Sequence, residues 1–70
     1  SYIQVFATKN QTIARNTAKN LRQMLEVPVH LPIANGIFRV QLGPIENKTE
    51  MDNLIQRLRT NGYPEAYAVN

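Results

Sequence analysis

The ten residues that decide the fold read NGIFRVQLGP, from Asn35 to Pro44. Asn-Gly tolerates the positive φ angles of a tight hairpin turn, and the Gly-Pro pair ends the extended run because proline donates no hydrogen bond to a sheet. Between these two signals apolar and mixed side chains alternate, which predicts a strand with one buried and one open face. The predicted buried side chains are Phe38, Val40 and Leu42, and the predicted open ones are Ile37, Arg39 and Gln41.

The composition of the 70 residues argues against several kinds of protein. One domain of this length buries only about 60% of its unfolded surface, so little apolar material remains to enclose an active-site cavity. The chain has no cysteine and a single histidine, which argues against a metal site and against a Ser-His catalytic relay. No apolar run approaches the about 18 residues of a membrane span. We therefore expect a non-catalytic domain without metal or cofactor, either cytosolic or excised from a longer exported protein.

The net charge of +3 and the pI of about 9.7 would suit a nucleic-acid-binding protein. However, most of the cations fall within the two predicted helices described below, where they are typical of a solvated surface that keeps a small domain soluble. These helical cations are Arg15, Lys19, Arg22, Lys48, Arg57 and Arg59. Arg39 is the only cation that the alternation places on the open face of the sheet.

The first half of the chain has the pattern strand, helix, strand. Residues from Tyr2 to Ala7 alternate in the same way as the central stretch and predict another two-faced strand. Asn10 stands where a helix N-cap is expected, and the apolar residues after it recur every three or four positions to near Glu26. A proline then ends the helix. Val29 to Ile33 resumes an extended run, and the internal Pro32 marks it as an edge strand.

The second half of the chain repeats this pattern. Asn47 with Glu50 resembles a capping box, and the helix that it opens is expected to run to about Thr60. Asn61-Gly62 is a helix C-terminal signal, and Ala66 to Val69 is predicted as a short last strand. A shift of 37 positions superimposes the two halves and lays the glutamine of the first strand on that of the central strand.

Two βαβ units joined by a hairpin predict an α+β domain with the βαββαβ fold of ferredoxin-like and RNP-like proteins. Its four-stranded antiparallel sheet has the spatial order 4-1-3-2, and both helices cover one face, which leaves the other face bare. Tyr67 of the last strand is assigned to the bare face because Ala66 and Ala68 suit tight packing under a helix. The side chains predicted on the bare face are Tyr2, Gln4, Phe6, Ile37, Arg39, Gln41 and Tyr67.

The chemistry of this bare face suits a neutral or weakly acidic chain. Paired amides offer donors and acceptors to hydroxyl and N-acetyl groups, and aromatic rings can stack on the apolar face of a sugar. Exposed strand positions also accept glutamine and aromatic residues without any binding role, because strands favour aromatics and solvent accepts amides. Periodicity alone leaves both interpretations open.

The chain resembles the SPOR domain along essentially its whole length, from Tyr2 to Val69. No single motif carries the resemblance, which depends on the combined spacing of a strand-borne glutamine, an Asn-Gly turn and an Arg-x-x-x-Gly-Pro strand end. The ending Gly43-Pro44-Ile45 is most similar to the rare lipoprotein A type of this family. The residues that carry the resemblance are Tyr2-Ile3-Gln4-Val5, Ala14, Leu21, Asn35-Gly36, Phe38-Arg39-Val40 and Leu42-Gly43-Pro44-Ile45.

The resemblance implies a function as well as a fold. SPOR domains are bacterial envelope modules that bind septal peptidoglycan where amidases have stripped the stem peptides from the glycan. It follows that residues 1–70 form one SPOR-like domain, a C-terminal module of a longer periplasmic protein of cell division or cell-wall lysis. The parent protein of such a module can be a lytic transglycosylase, whereas the module itself is no enzyme. The expected partner is the denuded glycan at the division septum, with no contact to nucleic acid or membrane, and the expected state is a monomer.

The resemblance also assigns binding roles. Gln4 and Arg39 match the glutamine and the arginine of the family's binding face, and Ile37 stands where several members carry an aromatic residue. Phe6-Ala7-Thr8 departs from the usual Gly-Ala-Phe or Gly-Ser-Phe, so Phe6 would either move the aromatic contact to the first strand or narrow the groove. The expected glycan-binding residues are Tyr2, Gln4, Phe6, Ile37, Arg39, Gln41 and Tyr67, with the glycan lying flat along the first and central strands.

Three other functions compete with glycan binding. An RNA-recognition module shares the topology, but its central strand needs aromatics after a Lys/Arg-Gly start, and one open-face cation releases few counterions. A small hydrolase would need a nucleophile beside a base, and His30 on an edge strand is expected to be a surface residue. A protein-interaction module that adds a partner strand to a sheet edge is the third alternative.

Overall fold

The computed structural model describes residues 1–69 and forms one sheet covered on one face by two helices. In chain order the elements are β1 (Tyr2–Thr8), α1 (Gln11–Met24), β2 (Val29–His30), β3 (Ile33–Ala34), β4 (Ile37–Leu42), α2 (Lys48–Thr60) and β5 (Tyr67–Val69). The strands lie in the order β2-β4-β1-β5, with β3 also paired to β4, and all pairs are antiparallel. The predicted α+β fold and its 4-1-3-2 order are confirmed, since β2 and β3 together form the predicted second strand.

The edge strand is split in two because a proline interrupts it. Pro32 cannot donate to a ladder, yet its carbonyl oxygen accepts a hydrogen bond from the Arg39 backbone N–H at 3.0 Å. On the other side of β2, the Pro28 carbonyl oxygen accepts from the Gly43 N–H, also at 3.0 Å. The chain therefore stays hydrogen-bonded to β4 through the proline carbonyl oxygens, although the proline nitrogens carry no hydrogen to donate.

Asparagine caps open both helices at the predicted positions. The Asn10 side-chain oxygen accepts from the Ile13 N–H at 2.9 Å, and the Asn47 side-chain oxygen accepts from the Glu50 N–H at 3.0 Å. Each cap satisfies one of the backbone N–H groups that a helix start leaves without a partner. α1 ends at Met24, slightly before the predicted end. Neither helix within residues 1–69 is long and apolar enough to cross a membrane.

The core lies between the sheet and the helices, and the two central strands contribute alternate residues to it. Within residues 1–69 no polar or charged residue is buried. Phe38 differs from the prediction because it is only half-buried and lies outside the core cluster. Its partners across the sheet are Thr8 and the 57% exposed Ile33, so this end of β4 lies at the margin of the core. The largest fully buried side chains are Ile3, Leu21, Val40, Leu42 and Leu58.

Truncating the core should cost more than truncating Phe38. We expect Leu42→Ala to lower the free energy of unfolding by about 2 to 5 kcal/mol, because it removes a fully buried side chain from the centre of the core. Phe38→Ala should cost clearly less, since water already reaches its ring. Urea unfolding of both variants measures the difference. An equal or larger loss in Phe38→Ala would show that this ring is part of the core.

Candidate binding face

One row of side chains crosses the open face of the sheet from edge to edge. His30 pairs with Gln41, Gln41 pairs with Gln4, and Gln4 pairs with Tyr67. Directly paired residues of antiparallel strands project to the same face, so these four residues form a cross-strand row. Neighbouring strands lie about 4.8 Å apart, which makes the row about 14 Å long. Tyr67 therefore lies on the open face, as predicted, and it is 48% exposed, although only Ala66 of its two neighbouring alanines is buried.

Two amides occupy the middle of the cross-strand row. The Gln41 side-chain nitrogen donates to the Gln4 side-chain oxygen at 3.4 Å, which is long for a hydrogen bond. Within residues 1–69 this contact leaves the Gln4 amide nitrogen and the Gln41 amide oxygen without partners. The pair thus presents the N–H donors of Gln4 and the oxygen acceptor of Gln41 to a ligand. The 37-residue separation of the pair is the same shift that superimposes the two halves of the sequence.

A one-residue slip in the β1–β4 ladder corrects the prediction for Phe6. The slip lies between Gln4 and Phe6, and it pairs Phe6 with the fully buried Val40. Phe6 is half-buried and packs against the core. The prediction that Phe6 belongs to the open face is therefore wrong, because an extra residue in β1 ends the simple alternation on which it depended.

The same slip places Ala7 opposite Arg39 on the open face. Ala7 is exposed and carries only a methyl group, so it offers the arginine no hydrogen-bond partner. Within residues 1–69 the Arg39 side chain has no hydrogen bond or ion pair, so all five guanidinium N–H donors are available. We call Ala7 and Arg39 the Arg39 notch. It lies next to the amide pair, two residues along β4, which is about 7 Å.

Ile37 lies on the same face but far from the amide pair. It pairs with Ala34 at the hairpin end of β4 and is half-buried. Four residues separate it from Gln41, which is about 13 Å along the strand. Ile37 therefore flanks the Arg39 notch on the side away from the row.

Tyr2 and His30 meet at the opposite side of the row, above Gly43. The two ring centroids are 6.0 Å apart, and the rings meet edge to face at 69°. The His30 Nε2 atom lies 3.0 Å from the Gly43 carbonyl oxygen, and a carbonyl only accepts, so Nε2 carries the proton. A Cβ on Gly43 would lie 2.9 Å from the Tyr2 ring and 3.1 Å from the Ser1 carbonyl oxygen. Only glycine leaves room for this ring pair.

Sequence reasoning missed His30 as a member of the face. A signal was present, because Val29 is buried and an alternating edge strand then turns His30 outward. What could not be inferred is the pairing of His30 with Gln41, which depends on how the short β2 aligns with β4.

A shallow cavity of about 160 Å³ adjoins the row where β5 begins. Its walls come from β1, from the first residue of β5 and from the segment before it, which contributes the acidic side chain of Glu65. The same part of the chain contains no cluster of histidine and acidic residues that could hold a metal ion. The face therefore offers amides, rings and one free cation, which suits a flexible polar chain that carries a carboxylate. The lining residues are Gln4, Val5, Phe6, Ala7, Glu65 and Tyr67.

Comparison with known proteins identifies the family. The family model of the SPOR domain matches residues 1–70, and the chain belongs to the SPOR domain family. The endolytic peptidoglycan transglycosylase RlpA of Escherichia coli O157:H7 is 34% identical over 65 residues, covering 93% of this chain and 18% of the relative. RlpA of Salmonella typhi is also 34% identical, with 17% of its length covered. The crystal structure of the RlpA SPOR domain of Pseudomonas aeruginosa matches with a TM-score of 0.86 and 26% identity, over 99% of this chain and 96% of that one.

These matches confirm the SPOR resemblance and its rare lipoprotein A type. The chain is accordingly a peptidoglycan-binding module that is itself non-catalytic. It spans less than a fifth of the length of the curated RlpA relatives, so the transglycosylase in their name refers to much longer proteins.

Gly43 should tolerate substitution less well than Gly36. Both have positive φ, +137° and +76°, but a Cβ on Gly36 meets nothing within 4 Å. We expect Gly36→Ala to cost about 1 kcal/mol of stability from strain alone, and Gly43→Ala to cost more because its methyl group also meets the Tyr2 ring and a backbone oxygen. Urea unfolding measures both costs, and NMR shifts of the Tyr2 and His30 rings should change only in Gly43→Ala. Equal costs with unchanged ring shifts would show that the ring pair does not need Gly43.

Proposed function

We propose that this domain binds peptidoglycan glycan strands that have lost their stem peptides, and that Arg39 reads the carboxylate which amidase action exposes. The observation that carries this proposal is the free guanidinium of Arg39 beside the small Ala7, next to two amides with unused hydrogen-bonding groups. A cation left open beside neutral amides favours a ligand that brings one negative charge to that place.

The charge of the ligand depends on whether the stem peptide is present. In intact peptidoglycan the lactyl group of N-acetylmuramic acid forms an amide bond with the stem and carries no charge. Hydrolysis of that bond frees a carboxylate, which a guanidinium can bind with two parallel hydrogen bonds. Such a charge-assisted contact contributes about 1.5 to 3 kcal/mol. Loss of the carboxylate in the intact polymer removes this contribution.

The shape of the notch adds a second criterion. The open face is shallow, and directly opposite Arg39 it carries only the methyl group of Ala7. A stem peptide on a lactyl group held by Arg39 would have to pass over Ala7 and would collide with β1. Discrimination against intact strands then combines a missing attraction with a steric clash.

The other predicted site residues have different roles, which depend on where they lie relative to the Arg39 notch. Gln4 and Gln41 bind N-acetyl or hydroxyl groups through their unused amide atoms, and Tyr67 stacks on a sugar ring. Tyr2 borders the row on one side and Ile37 borders the notch on the other. Phe6 packs against the core and contributes to the wall of the cavity beside the row, so it supports the face from the core side.

We further propose that the domain directs a longer parent protein to the division septum. The curated RlpA relatives are more than five times as long as the matched segment, which supports a module that carries a larger envelope protein to its substrate. Denuded glycan is produced where amidases split the septal wall, so a reader of that glycan concentrates its parent at the division septum. A single copy of the domain presents the whole face, which supports action as a monomer.

Removal of the Arg39 side chain tests the proposed role. Arg39→Ala should weaken binding to denuded oligosaccharides at least about tenfold, since it removes the charge-assisted contact. Gln4→Ala should weaken binding less, by about fivefold, because a neutral hydrogen bond contributes only about 1 kcal/mol. Arg15→Ala on the exposed side of α1 is the matched control and should bind like the unchanged domain. Isothermal calorimetry with purified oligosaccharides measures all three affinities, and urea unfolding checks that each variant is folded.

Two results would contradict the proposal. The first is an unchanged affinity of Arg39→Ala for denuded strands. The second is equal binding of the unchanged domain to strands with and without stems, which would favour the sheet edge as the binding surface.

Binding should depend only weakly on salt. One cation on the face forms at most about one ionic contact, so raising the salt from about 50 to 200 mM should weaken binding by about threefold or less. Calorimetry at both salt concentrations gives the ratio. A loss of several orders of magnitude would instead indicate a nucleic-acid ligand, which binds through many phosphate contacts.

A further inference from the structure

We propose that the glycan crosses the strands of the sheet along the cross-strand row, with one sugar over each strand, and that His30 forms the subsite at the β2 edge. This inference rests on the proposed function, because it concerns how the same ligand lies on the same face. It changes the direction expected from the sequence, in which the glycan follows β1 and β4.

The spacing of the row favours crossing. Each sugar of a β-1,4-linked glycan is about as long as the distance between neighbouring strands, about 5 Å. A glycan laid across the sheet therefore keeps one sugar over each strand. Along a strand the side chains of one face repeat every two residues, about 7 Å, so a glycan in that direction soon loses its match with them.

The side chains of the row also favour a glycan that crosses the strands. A ring stands at each end and two amides stand between them, so four successive sugars meet His30, Gln41, Gln4 and Tyr67 in turn. In the other direction Gln4 and Gln41 would lie side by side under a single sugar. The two rings at the sheet edges would then have no sugar to contact.

Arg39 also fits this direction. Lactyl groups branch sideways from the glycan axis, so the group on the sugar above Gln41 would point along β4. The Arg39 notch lies in that direction, about 7 Å away. The main chain of the glycan thus runs across the strands, whereas its lactyl carboxylate points along β4 to Arg39.

His30 is held ready for contact with a sugar. Its Nε2 donates to the Gly43 carbonyl oxygen at 3.0 Å, and its ring meets the Tyr2 ring edge to face. These two contacts fix the orientation of an otherwise exposed side chain. A ring that is fixed before binding loses less conformational entropy when the ligand arrives.

A spin label on the glycan tests the direction. A denuded tetrasaccharide that carries a nitroxide at its reducing end would be bound to 15N-labelled domain, and signal broadening would be mapped by NMR. Crossing predicts broadening of amides at a sheet edge, in β2, in β5, or in both if the two polarities mix. Broadening confined to one end of β1 and β4, around Ala7 and Ile37 or around Tyr2 and Leu42, would overturn the inference. Absence of binding by the unchanged domain would instead overturn the proposed function.

Ligand length tests the His30 subsite. His30→Ala should weaken binding of the tetrasaccharide about three- to tenfold and leave a disaccharide, which is anchored at Arg39 and the amide pair, unchanged. His30→Phe keeps a ring at this place and should restore most of the loss. Ile33→Ala is the matched control, because Ile33 is exposed at the same edge but pairs with Phe38 on the opposite face. Equal effects of His30→Ala on both ligands, no effect on either, or no rescue by His30→Phe would overturn the subsite.

Discussion

The antiparallel ladder between β1 and β4 is the interaction on which the rest of the structure depends. On its inner face the ladder supplies Ile3, Val40 and Leu42, which are fully buried. On its outer face it sets Gln41 beside Gln4. Since a slip of one residue exchanges the two faces of a strand, the core and the binding face cannot be changed independently. Burial of the apolar residues thus also fixes the positions of the polar ones.

The slip within this ladder is what gives the face its particular shape. Phe6 packs against the core, and Ala7 lies opposite Arg39. A bulge of this kind is a common way to re-aim a side chain near a binding site. In this domain it leaves a guanidinium open on a face whose other central groups are neutral, which is what recognition of a single carboxylate requires. Gly43 acts in a similar way at the other side of the row, where its missing side chain admits the Tyr2 ring.

The parts of the fold that depend on local signals could be predicted from the sequence. Both asparagine caps, the hairpin and the strand order follow from turn chemistry and from the 37-residue repeat, which also brought Gln4 beside Gln41. The place of Phe6 could not be predicted, because residues 2–7 alternate in sequence as they would in a regular strand, and the bulge that changes their faces appears only in the pairing with β4. The incomplete burial of Phe38 and the pairing of His30 depend likewise on how far a short edge strand extends. Local patterns therefore predicted the face of most strand residues, whereas the strand pairing decided the position of the bulge and which residues meet across the sheet.

The central claim is that Arg39 recognises the free lactyl carboxylate, and a matched pair of ligands tests it most directly. One denuded oligosaccharide would keep the carboxylate, and the other would carry an uncharged carboxamide of the same size. Calorimetry with the unchanged domain and with Arg39→Ala gives four affinities and hence the coupling between the two groups. The account predicts that the unchanged domain prefers the carboxylate at least about tenfold, and that Arg39→Ala binds both ligands equally. The same preference in both proteins, or none in the unchanged domain, would contradict it.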